Sequence, residues 1–580
     1  MSGNPSAAFA REMVAALVAY GVEDFVLCPG SRSGPLAHAV AQATGKERPA
    51  GAPELNLHVR IDERSAGFLA VGLARGRALR GALSPVAIVT TSGTAVGNLM
   101  PAVMEAHHSG LPLILLTADR PGELRGVGAN QTTDQVGMFG TFVRLSTDVA
   151  APEPAERGGR ATRIVARAVR ASLGDPDRDD MTASPGPVHV DVEFRDPLHA
   201  DQGEWPDISV DEPSVLDRAR KRLRAVSMPS RHLPEATHGV VIAGDGAGDV
   251  ARLVAEAHGW PLLAEPTSGA RAGSHAVGPY VALLRDAAGV ELASRIDQVV
   301  VIGRPTLSRV IHRIIHESTA LYVANHGARW REAPLHAERV LARVPQEWLE
   351  AGQPVASRNR EDAGAKASRR RGEGAEAEAH VSWLDEWLLA ASDLELPATA
   401  WNARGIAKVV VDSLGPSDVA VVGSSGPIRA VDNVAPVWEP GGVPTLIANR
   451  GLSGIDGTIA TACGIALACD KPVTALMGDV TFLHDAGSLL VGTRERAPDV
   501  RIVVVNDGGG TIFSSLEHAT APAEEFERVF TTPHEAHLAG LCAGYGVGHV
   551  LTESLEDLQA ALARPVKGIE VVEARVSRGT

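Results

Sequence analysis

Short apolar runs alternate with longer stretches of helical periodicity in the first third of the chain. DFVLCPG, PVAIVTTSGTA and PLILLTADRP are short, apolar and closed by turn residues, whereas AREMVAALVAYGV and NLMPAVMEAHHSG repeat their apolar positions at helical spacing. Buried strands that alternate with helices in this way are typical of a parallel sheet covered on both faces. The pattern therefore predicts a doubly wound α/β sheet.

The same alternation occurs twice more along the chain, which predicts three such domains. Proline and acidic residues are enriched over 199–215 and indicate a boundary. A charged, low-complexity stretch has the composition of an exposed linker. The predicted divisions are a first domain at 1–200, a central α/β domain at 201–355, the charged linker at 356–380 and a last domain at 381–580.

Composition and charge exclude several classes of protein. The 580 residues are 44% hydrophobic and carry a formal net charge of −15, whereas a nucleic-acid partner requires a basic face. No run of about 18 apolar residues is present to cross a membrane, and the N-terminus lacks the apolar core of a signal peptide. Four cysteines without a C-x-x-C pair do not form a disulfide framework. We expect a cytoplasmic protein with no nucleic-acid and no membrane partner.

A candidate metal site lies in the last predicted domain. Asp479 follows the apolar run PVTALMG, and Asn506 ends the next apolar run, 27 positions later. That spacing fits one βαβ crossover, which brings both residues to the carboxyl edge of a sheet. The NDGGG turn can present a main-chain carbonyl, that of Gly508, and three oxygen ligands suit Mg²⁺. A second Gly-Asp, in IAGDGAGD, has no Asn at this spacing and is interpreted as a turn.

A second candidate is Glu63, in VRIDERSAGFLAVGLARG. It opens a predicted helix that consists almost wholly of small and apolar residues. A carboxylate at a helix N-terminus is favoured by the unpaired N–H groups there, so this position alone does not indicate chemistry.

The strand, Gly-Asp, helix, strand, Asn module resembles the metal–diphosphate motif of the thiamine-diphosphate-dependent enzymes. PGSRSGPL, TTSGTAVGNLMPAVMEA, LTADRPGELRGVGANQTTDQVGMF, NRGLSGIDG and GDVTFLHD together resemble the SEPHCHC synthases, the menaquinone-pathway branch of that superfamily. These matches cover both outer domains, while the central domain matches loosely. Val480 and Asp507 stand where many relatives have Gly and Asn, and Thr511 looks like a one-residue insertion.

The resemblance implies a cofactor and a reaction. The first domain would bind the pyrimidine of thiamine diphosphate, and the last would bind its diphosphate through Mg²⁺, or Mn²⁺. The enzyme would be a transferase that decarboxylates 2-oxoglutarate and adds the remaining unit to isochorismate in a 1,4 fashion. The implied cofactor and metal residues are Glu63, Ile455, Gly478, Asp479, Asn506 and Gly508.

The resemblance also implies the role of Glu63, which would share a proton with N1′ of the pyrimidine. An apolar pocket disfavours a charged carboxylate, so we expect a raised pKa. We expect the small-residue helix to supply this dry packing and to let the pyrimidine approach. Ile455 would be the apolar wedge under the cofactor.

Both substrates are dianions, and an acidic protein needs local cations to hold them. By resemblance, Ile512 and Phe513 would lie on the loop over the cofactor. The implied substrate-binding residues are Ser31, Arg32, Arg120, Gln131, Arg309, Ser425, Arg429, Arg450, Ile512 and Phe513.

Two alternatives and the assembly stay open at this point. Another carboligase or decarboxylase of the superfamily, acetolactate-synthase-like, would use a small monoanion and would not need so many arginines. A non-catalytic regulatory homologue could have lost Glu63 or Asp479, and this chain has both. In the superfamily the cofactor lies between domains of two subunits, which implies a homodimer or homotetramer with active sites at the subunit interface.

Overall fold

The computed structural model describes residues 4–44, 47–154, 158–174, 184–201, 203–208, 233–324, 336–341, 343–349, 381–397 and 399–578. These residues form three sheets, and the strand pairings within them are parallel. The predicted fold class, α/β with three doubly wound parallel-sheet domains, is confirmed. The predicted linker 356–380 lies outside the described residues.

By contact the chain divides into two compact units, each of which is described by itself. Unit 1 is Met1–Val226, Val419–Pro427 and Ala448–Thr580. Unit 2 is Ser227–Asp418 and Ile428–Ile447. Unit 1 therefore contains an N-terminal sheet and most of a C-terminal sheet, while unit 2 contains the central sheet.

The N-terminal sheet of unit 1 has completely buried central strands, because helices cover both of its faces. Its strands are β1 (Asp24–Leu27), β2 (Asn56–Val59), β3 (Val86–Thr90), β4 (Leu113–Asp119), β5 (Ser146–Val149) and β6 (Val188–Glu193). Its helices are α1 (Pro5–Ala19), α2 (Gly34–Thr44), α3 (Glu63–Leu79), α4 (Thr94–Gly97), α5 (Met100–Ser109) and α6 (Arg160–Leu173). The strand order is β2-β1-β3-β4-β6-β5.

Unit 2 is built around the central sheet, with the tryptophans Trp348, Trp383 and Trp387 in its core. Its strands are β7 (Gly239–Ala243), β8 (Leu262–Ala264), β9 (Gln298–Ile302), β10 (Leu321–Ala324) and β11 (Arg339–Leu341), in the order β11-β10-β9-β7-β8. Its helices are α7 (Val250–His258), α8 (Tyr280–Leu283), α9 (Ala287–Ser294), α10 (Arg309–Glu317), α11 (Trp383–Ser392) and α12 (Ala403–Asp412). Helix α11 packs on this central core, although the sequence pattern places 381–580 in the last domain.

The C-terminal part of unit 1 repeats the architecture of the N-terminal part. A helix α13 (Gly426–Val434) and a short strand β13 (Thr445–Ile447) precede most of it. The remaining elements are strands β12 (Val419–Val422), β14 (Val473–Gly478), β15 (Val500–Asn506), β16 (Gly548–Thr552) and β17 (Ile569–Arg575), and helices α14 (Thr458–Cys469), α15 (Asp479–His484), α16 (Ala523–Phe526), α17 (Leu538–Tyr545) and α18 (Leu555–Leu562). Within unit 1 the strands run in the order β12-β14-β15-β17-β16.

Helices α3 and α14 join the two halves of unit 1, and glycine makes their contact possible. A Cβ added at Gly72 would lie 2.2 Å from the carbonyl oxygen of Thr461, and one at Gly464 would lie 2.3 Å from that of Leu69. Real side chains do not tolerate such distances, so both positions require glycine. The small residues of α3 therefore serve helix packing at Gly72, a role that our expectation of a path for a pyrimidine did not include.

No helix among the described residues is both long enough and apolar enough to cross a membrane.

We expect Gly464→Ala to destabilise the protein, because its Cβ would meet rigid backbone atoms of α3. The free energy of unfolding should fall by about 3 kcal/mol, as for severe overpacking. The control is Gly544→Ala in helix α17, where an added Cβ meets no heavy atom within 4 Å. That change should be neutral or stabilise by about 0.5–1 kcal/mol. Equal melting temperatures for the two variants would contradict the packing argument.

Candidate active site

Asp479 and Asn506 lie at the carboxyl ends of neighbouring strands. Strands β14 and β15 pair in parallel, with Gly478 opposite Val505, so the residues that follow come together at one edge. Asp479 begins helix α15, and Asn506 ends β15. The βαβ spacing in the sequence had predicted this juxtaposition.

The carboxylate of Asp479 is buried and held by backbone. Its Oδ1 accepts from the N–H of Val480 at 2.6 Å, and its Oδ2 accepts from the N–H of Gly509 at 2.9 Å. Burial raises the pKa of this carboxyl, although these N–H groups and nearby His534 oppose the rise. Burial also raises the pKa of Asp507 to about 6, and the charge of Asp479 adds to that rise. Two adjacent carboxyls of this kind, one buried and one half-buried, favour a bound cation.

The side chain of Asn506 is oriented by a glutamate that sequence reasoning missed. Its Nδ2 donates to Glu573 Oε1 at 2.8 Å, which assigns the other atom of the amide as the oxygen. Glu573 itself lies 2.8 Å from Nε2 of His549 and is almost fully buried. An acid inside the apolar strand IEVVEAR was the signal that could have revealed it.

The carbonyl of Gly508, the third predicted ligand, is engaged by another side chain. Gly508 has a φ of +73°, which favours glycine. Its oxygen accepts from Nη2 of Arg578 at 2.7 Å and from the N–H of His534 at 3.3 Å. A metal ion at this carbonyl would therefore have to replace the guanidinium.

The donor set nevertheless fits a hard divalent cation. A carboxylate, an amide oxygen and a carbonyl oxygen are ligands that Mg²⁺ and Mn²⁺ accept. No group of three or more His, Cys, Asp or Glu side chains that could hold a metal ion occurs in the described part of the chain. A Cβ at Gly478 would meet no heavy atom within 4 Å, so there is open space beside Asp479.

Thr511, the apparent insertion, has a defined structural role. Its hydroxyl donates to Asp507, and the N–H of Gly510 donates to the carbonyl of Thr531 at 2.7 Å. The half-buried Phe513 lies with its ring centroid 5.6 Å from that of Phe530. Ile512, beside it, is also half-buried. The extra residue thus fastens the loop that carries Ile512 and Phe513.

Glu63 is the first residue of α3, but it does not cap that helix. Asp62 is the N-cap and accepts from the N–H of Arg64 at 2.9 Å. Asp62, not Glu63, is therefore the acid that caps the helix. Glu63 is half-buried, and helix capping does not account for its presence. Burial raises the pKa of the thiol of Cys28, and the charge of Glu63 raises it further, which puts the two side chains near each other.

Arg32 and Arg120 form an electropositive corner at the carboxyl edge of the N-terminal sheet. Burial lowers the pKa of Arg120, and the charge of Arg32 lowers it further. Arg120 Nη1 donates to the carbonyl of Gln131 at 2.9 Å and to Ser92 Oγ, while Arg32 Nη1 donates to the carbonyl of Phe194 at 2.8 Å. The buried Nε of Arg32 has no hydrogen-bond partner among the described residues. This corner can receive an anionic group.

The other predicted substrate residues are distributed between the two units. Ser31 is exposed beside Arg32, and Arg450 is buried. Ile455 is half-buried in the segment before α14. Ser425, with a φ of +75°, also belongs to unit 1, whereas the exposed Arg309 and Arg429 belong to unit 2. Among the predicted substrate-binding residues, the ones that the structure brings together are Arg32, Arg120 and Gln131.

Behind this corner, several carboxylates surround a single guanidinium. Nη2 of Arg125 lies 2.9 Å from Asp119, 3.2 Å from Asp191 and 3.3 Å from Glu193. Burial raises the pKa of Asp191 to about 7, against hydrogen bonds from Thr117 and Gln135 that lower it, and the charge of Asp119 raises it further. The pKa of Asp191 therefore lies near neutral pH, and Asp119 directly precedes Arg120.

Two family models match the chain. The model described as "Thiamine pyrophosphate enzyme, N-terminal TPP binding domain" matches residues 8–138, and "Thiamine pyrophosphate enzyme, C-terminal TPP binding domain" matches residues 433–574. Glu63, Arg32, Arg120 and Gln131 fall within the first match. Ile455, Asp479, Asn506 and Gly508 fall within the second.

Curated relatives match over nearly the whole chain, and each is named 2-succinyl-5-enolpyruvyl-6-hydroxy-3-cyclohexene-1-carboxylate synthase, abbreviated SEPHCHC synthase. The protein of Renibacterium salmoninarum is 43% identical over 100% of this chain and 96% of its own length. That of Paenarthrobacter aurescens is 43% identical over 98% and 94%, and that of Kineococcus radiotolerans is 44% identical over 99% and 96%.

Solved structures with the same fold are more distant in sequence. Benzoylformate decarboxylase from Polynucleobacter necessarius superposes with a TM-score of 0.64 at 17% identity, covering 98% of each chain. A putative thiamin diphosphate-dependent enzyme from Mycobacterium smegmatis gives a TM-score of 0.63 at 19% identity, covering 97% of this chain and 98% of its own. At this identity the likeness establishes the fold alone.

We expect Arg578→Ala to strengthen Mg²⁺ binding in the presence of thiamine diphosphate. The change removes the guanidinium that donates to the carbonyl of Gly508, so the metal no longer displaces it. The dissociation constant measured by calorimetry should fall about threefold, in line with the modest net value of one exposed hydrogen bond. Arg564→Ala is the control, because that arginine pairs with Glu570 instead. Unchanged or weaker binding in Arg578→Ala would show that no competition takes place.

Asp191 should make folding stability depend on pH. Its native pKa of about 7 lies above the ordinary value of 3.8, so the native state binds the proton more tightly and stability falls as pH rises from about 4 to about 7. Residue 191 cannot titrate in Asp191→Asn. Between pH 5 and pH 7, the free energy of unfolding measured with urea should therefore fall by about 2 kcal/mol less in this variant than in the wild type.

Asp148→Asn is the control, because Asp148 is an exposed partner of the same arginine. It should keep the decline. If the decline persists in Asp191→Asn, another carboxyl of this cluster, such as Asp119, holds the proton.

Proposed function

This chain belongs to the family of SEPHCHC synthases, and from that premise we propose that it decarboxylates 2-oxoglutarate and adds the resulting four-carbon unit to isochorismate in menaquinone biosynthesis. The relatives' names and the two thiamine pyrophosphate domain matches support a transferase of this kind. The observation that carries the proposal is the placement of two arginines at the carboxyl edge of the N-terminal sheet, where Arg120 is held by Ser92 and Gln131 and Arg32 by the carbonyl of Phe194.

Thiamine diphosphate, when bound, supplies the carbanion chemistry that releases CO₂ from a 2-oxo acid and transfers the remaining acyl unit. The residues that would hold it with its metal are Asp479, Asn506 and the carbonyl of Gly508, beside the open space at Gly478. Mg²⁺ is the proposed metal, with Mn²⁺ as a substitute. Asn506 would keep its oxygen toward the metal because Glu573 holds its amide nitrogen.

Glu63 is the proposed catalytic residue. Its carboxyl would share a proton with N1′ of the aminopyrimidine, the transfer that the cofactor needs before it can act. Two observations support this role: Asp62 already caps the helix, and Glu63 is only half-buried, open to an incoming ring. Ile455 would pack under the cofactor and hold it bent.

Several residues are proposed to bind the two dianionic substrates. Planar guanidinium groups pair with carboxylates through two hydrogen bonds. The buried Nε of Arg32 has no partner among the described residues, which leaves one donor of this guanidinium unsatisfied. Gln131, whose Nε2 donates to the carbonyl of Ser92 at 2.9 Å, is fixed beside Arg120. The other proposed contacts are Ser31, Arg309, Ser425, Arg429, Arg450, Ile512 and Phe513.

A second copy of the chain is proposed to complete the site, as a homodimer or homotetramer. Large apolar side chains are exposed next to both cofactor residues: Ile61, near Glu63, is 73% exposed, and Leu452, near Ile455, is 47% exposed. Burial of such side chains is a main source of association free energy. The proposed partners are small molecules in the cytoplasm, and the net charge of −15 argues against a nucleic-acid partner.

The proposed function is tested by CO₂ release from 2-oxoglutarate. Release should require thiamine diphosphate, Mg²⁺ and isochorismate together, and Glu63→Gln should lower turnover at least 100-fold while it still binds the cofactor, because proton transfer contributes about 10²–10⁴-fold. Glu54→Gln, at an exposed glutamate, is the control and should turn over normally.

Release from pyruvate without isochorismate would favour the acetolactate-synthase-like alternative. Normal turnover by Glu63→Gln would contradict the role of that residue.

A further inference from the structure

A buried glutamate from the N-terminal half of unit 1 holds two backbone amides of the C-terminal half. Glu105, on α5, is 2% exposed. Its Oε1 accepts from the N–H of Gly451 at 2.8 Å, and its Oε2 accepts from the N–H of Leu452 at 2.8 Å. The two carboxylate oxygens thus bind two successive amides, an arrangement that we name the Glu105 clamp.

The carboxylate of the clamp is itself held in place. Ser109, one turn later on α5, donates to Oε1 at 2.7 Å, and Arg75 Nη2 donates to the Ser109 hydroxyl at 2.9 Å. A Cβ added at Gly451 would lie 2.7 Å from Oε2 and from the carbonyl oxygen of Glu105. Only glycine allows the backbone to approach this closely. The contact therefore depends both on the carboxylate of Glu105 and on a glycine at position 451.

The clamp binds a segment that forms no helix or strand of its own. Residues 448–457 lie outside helices and strands, and Ser453 has a φ of +61°. Leu452 is 47% exposed, and the segment borders a cavity of about 420 Å³ that Phe68, Met100 and Met104 also line. Apolar packing is incomplete on this side, and the two charge-assisted hydrogen bonds restrain residues 451–452.

Two residues with proposed roles flank the clamped amides. Arg450 directly precedes them, and Ile455 follows three residues later. We propose that Glu105 is a positioning residue, which fixes the segment 450–455 so that Arg450 faces substrate and Ile455 faces the cofactor. The inference rests on the proposed function for the roles of those two residues. Glu105 itself would touch neither substrate nor cofactor.

Glu105→Gln tests this inference, because its amide nitrogen cannot accept from the second N–H. The dissociation constant of thiamine diphosphate with Mg²⁺, measured by calorimetry, or the KM of a substrate should rise about tenfold, the value of one buried, charge-assisted bond. The kcat at saturation should fall less than threefold. Ser109→Ala, which only loosens the carboxylate, should shift the same constants in the same direction by a smaller factor.

Glu12→Gln is the matched control. Glu12 is also a buried glutamate, and its Oε1 accepts from the N–H groups of Gly159 and Thr162 at 2.8 and 3.0 Å. The segment that it holds carries none of the proposed site residues. Because both bonds end on Oε1, the amide oxygen of Glu12→Gln can keep them, so this variant controls for the loss of a buried charge. It should leave the cofactor constant and the KM values unchanged.

Equal binding and kinetic constants in Glu105→Gln and Glu12→Gln would overturn the inference and reduce Glu105 to a stabilising residue. If Glu105→Gln does not fold, Ser109→Ala decides, and wild-type constants in that variant overturn the inference as well. Cofactor binding does not depend on which substrates are used. A wild-type enzyme inactive with 2-oxoglutarate and isochorismate would therefore overturn the proposed function, while the calorimetric comparison would still test the clamp.

Discussion

The close contact of helices α3 and α14 is the constraint on which unit 1 depends. Both helices are buried almost all round, and Gly72 and Gly464 let their backbones touch. Each helix starts at or just after a proposed site residue, since α3 begins at Glu63 and α14 begins three positions after Ile455. Because the two backbones touch, the contact sets the positions of the two helix starts relative to each other. A larger residue in place of Gly72 or Gly464 would displace the starts of both helices.

Buried polar bonds extend this constraint from the helices to the segments around the candidate site. Asp485, after the metal-side helix α15, accepts from the N–H of Ala460 at 3.0 Å, and Ser488 donates to Ser65 at 2.9 Å. Burial raises the pKa of Asp485 to about 6, so this contact is made at an electrostatic cost. The Glu105 clamp adds a further bond between the halves. Polar groups in such places add directional specificity that apolar packing cannot supply.

The electrostatics of the site divide according to the two kinds of ligand. Around Asp479, where burial raises the pKa of this carboxyl and of Asp507, the arrangement suits the proposed cation. Around Arg120, two guanidinium groups in proximity attract an anion. An overall charge of −15 therefore coexists with a local positive corner, because the field at a buried site is set by its nearest charges and not by the total.

The sequence by itself determined the sheet-and-helix alternation and the pairing of Asp479 with Asn506, because strand periodicity and crossover length are local properties. It also supplied Glu63, Arg32 and Arg120 as candidate site residues, though through resemblance and not through physics. Only the tertiary structure decided that Asp62 caps α3, that Glu573 orients Asn506, and that Arg578 occupies the carbonyl of Gly508. It also decided that the glycines of α3 serve a helix contact. Contacts such as Asn506 with Glu573, or Gly508 with Arg578, join residues that are far apart in the chain. The periodicity of the sequence does not specify which distant side chains make contact.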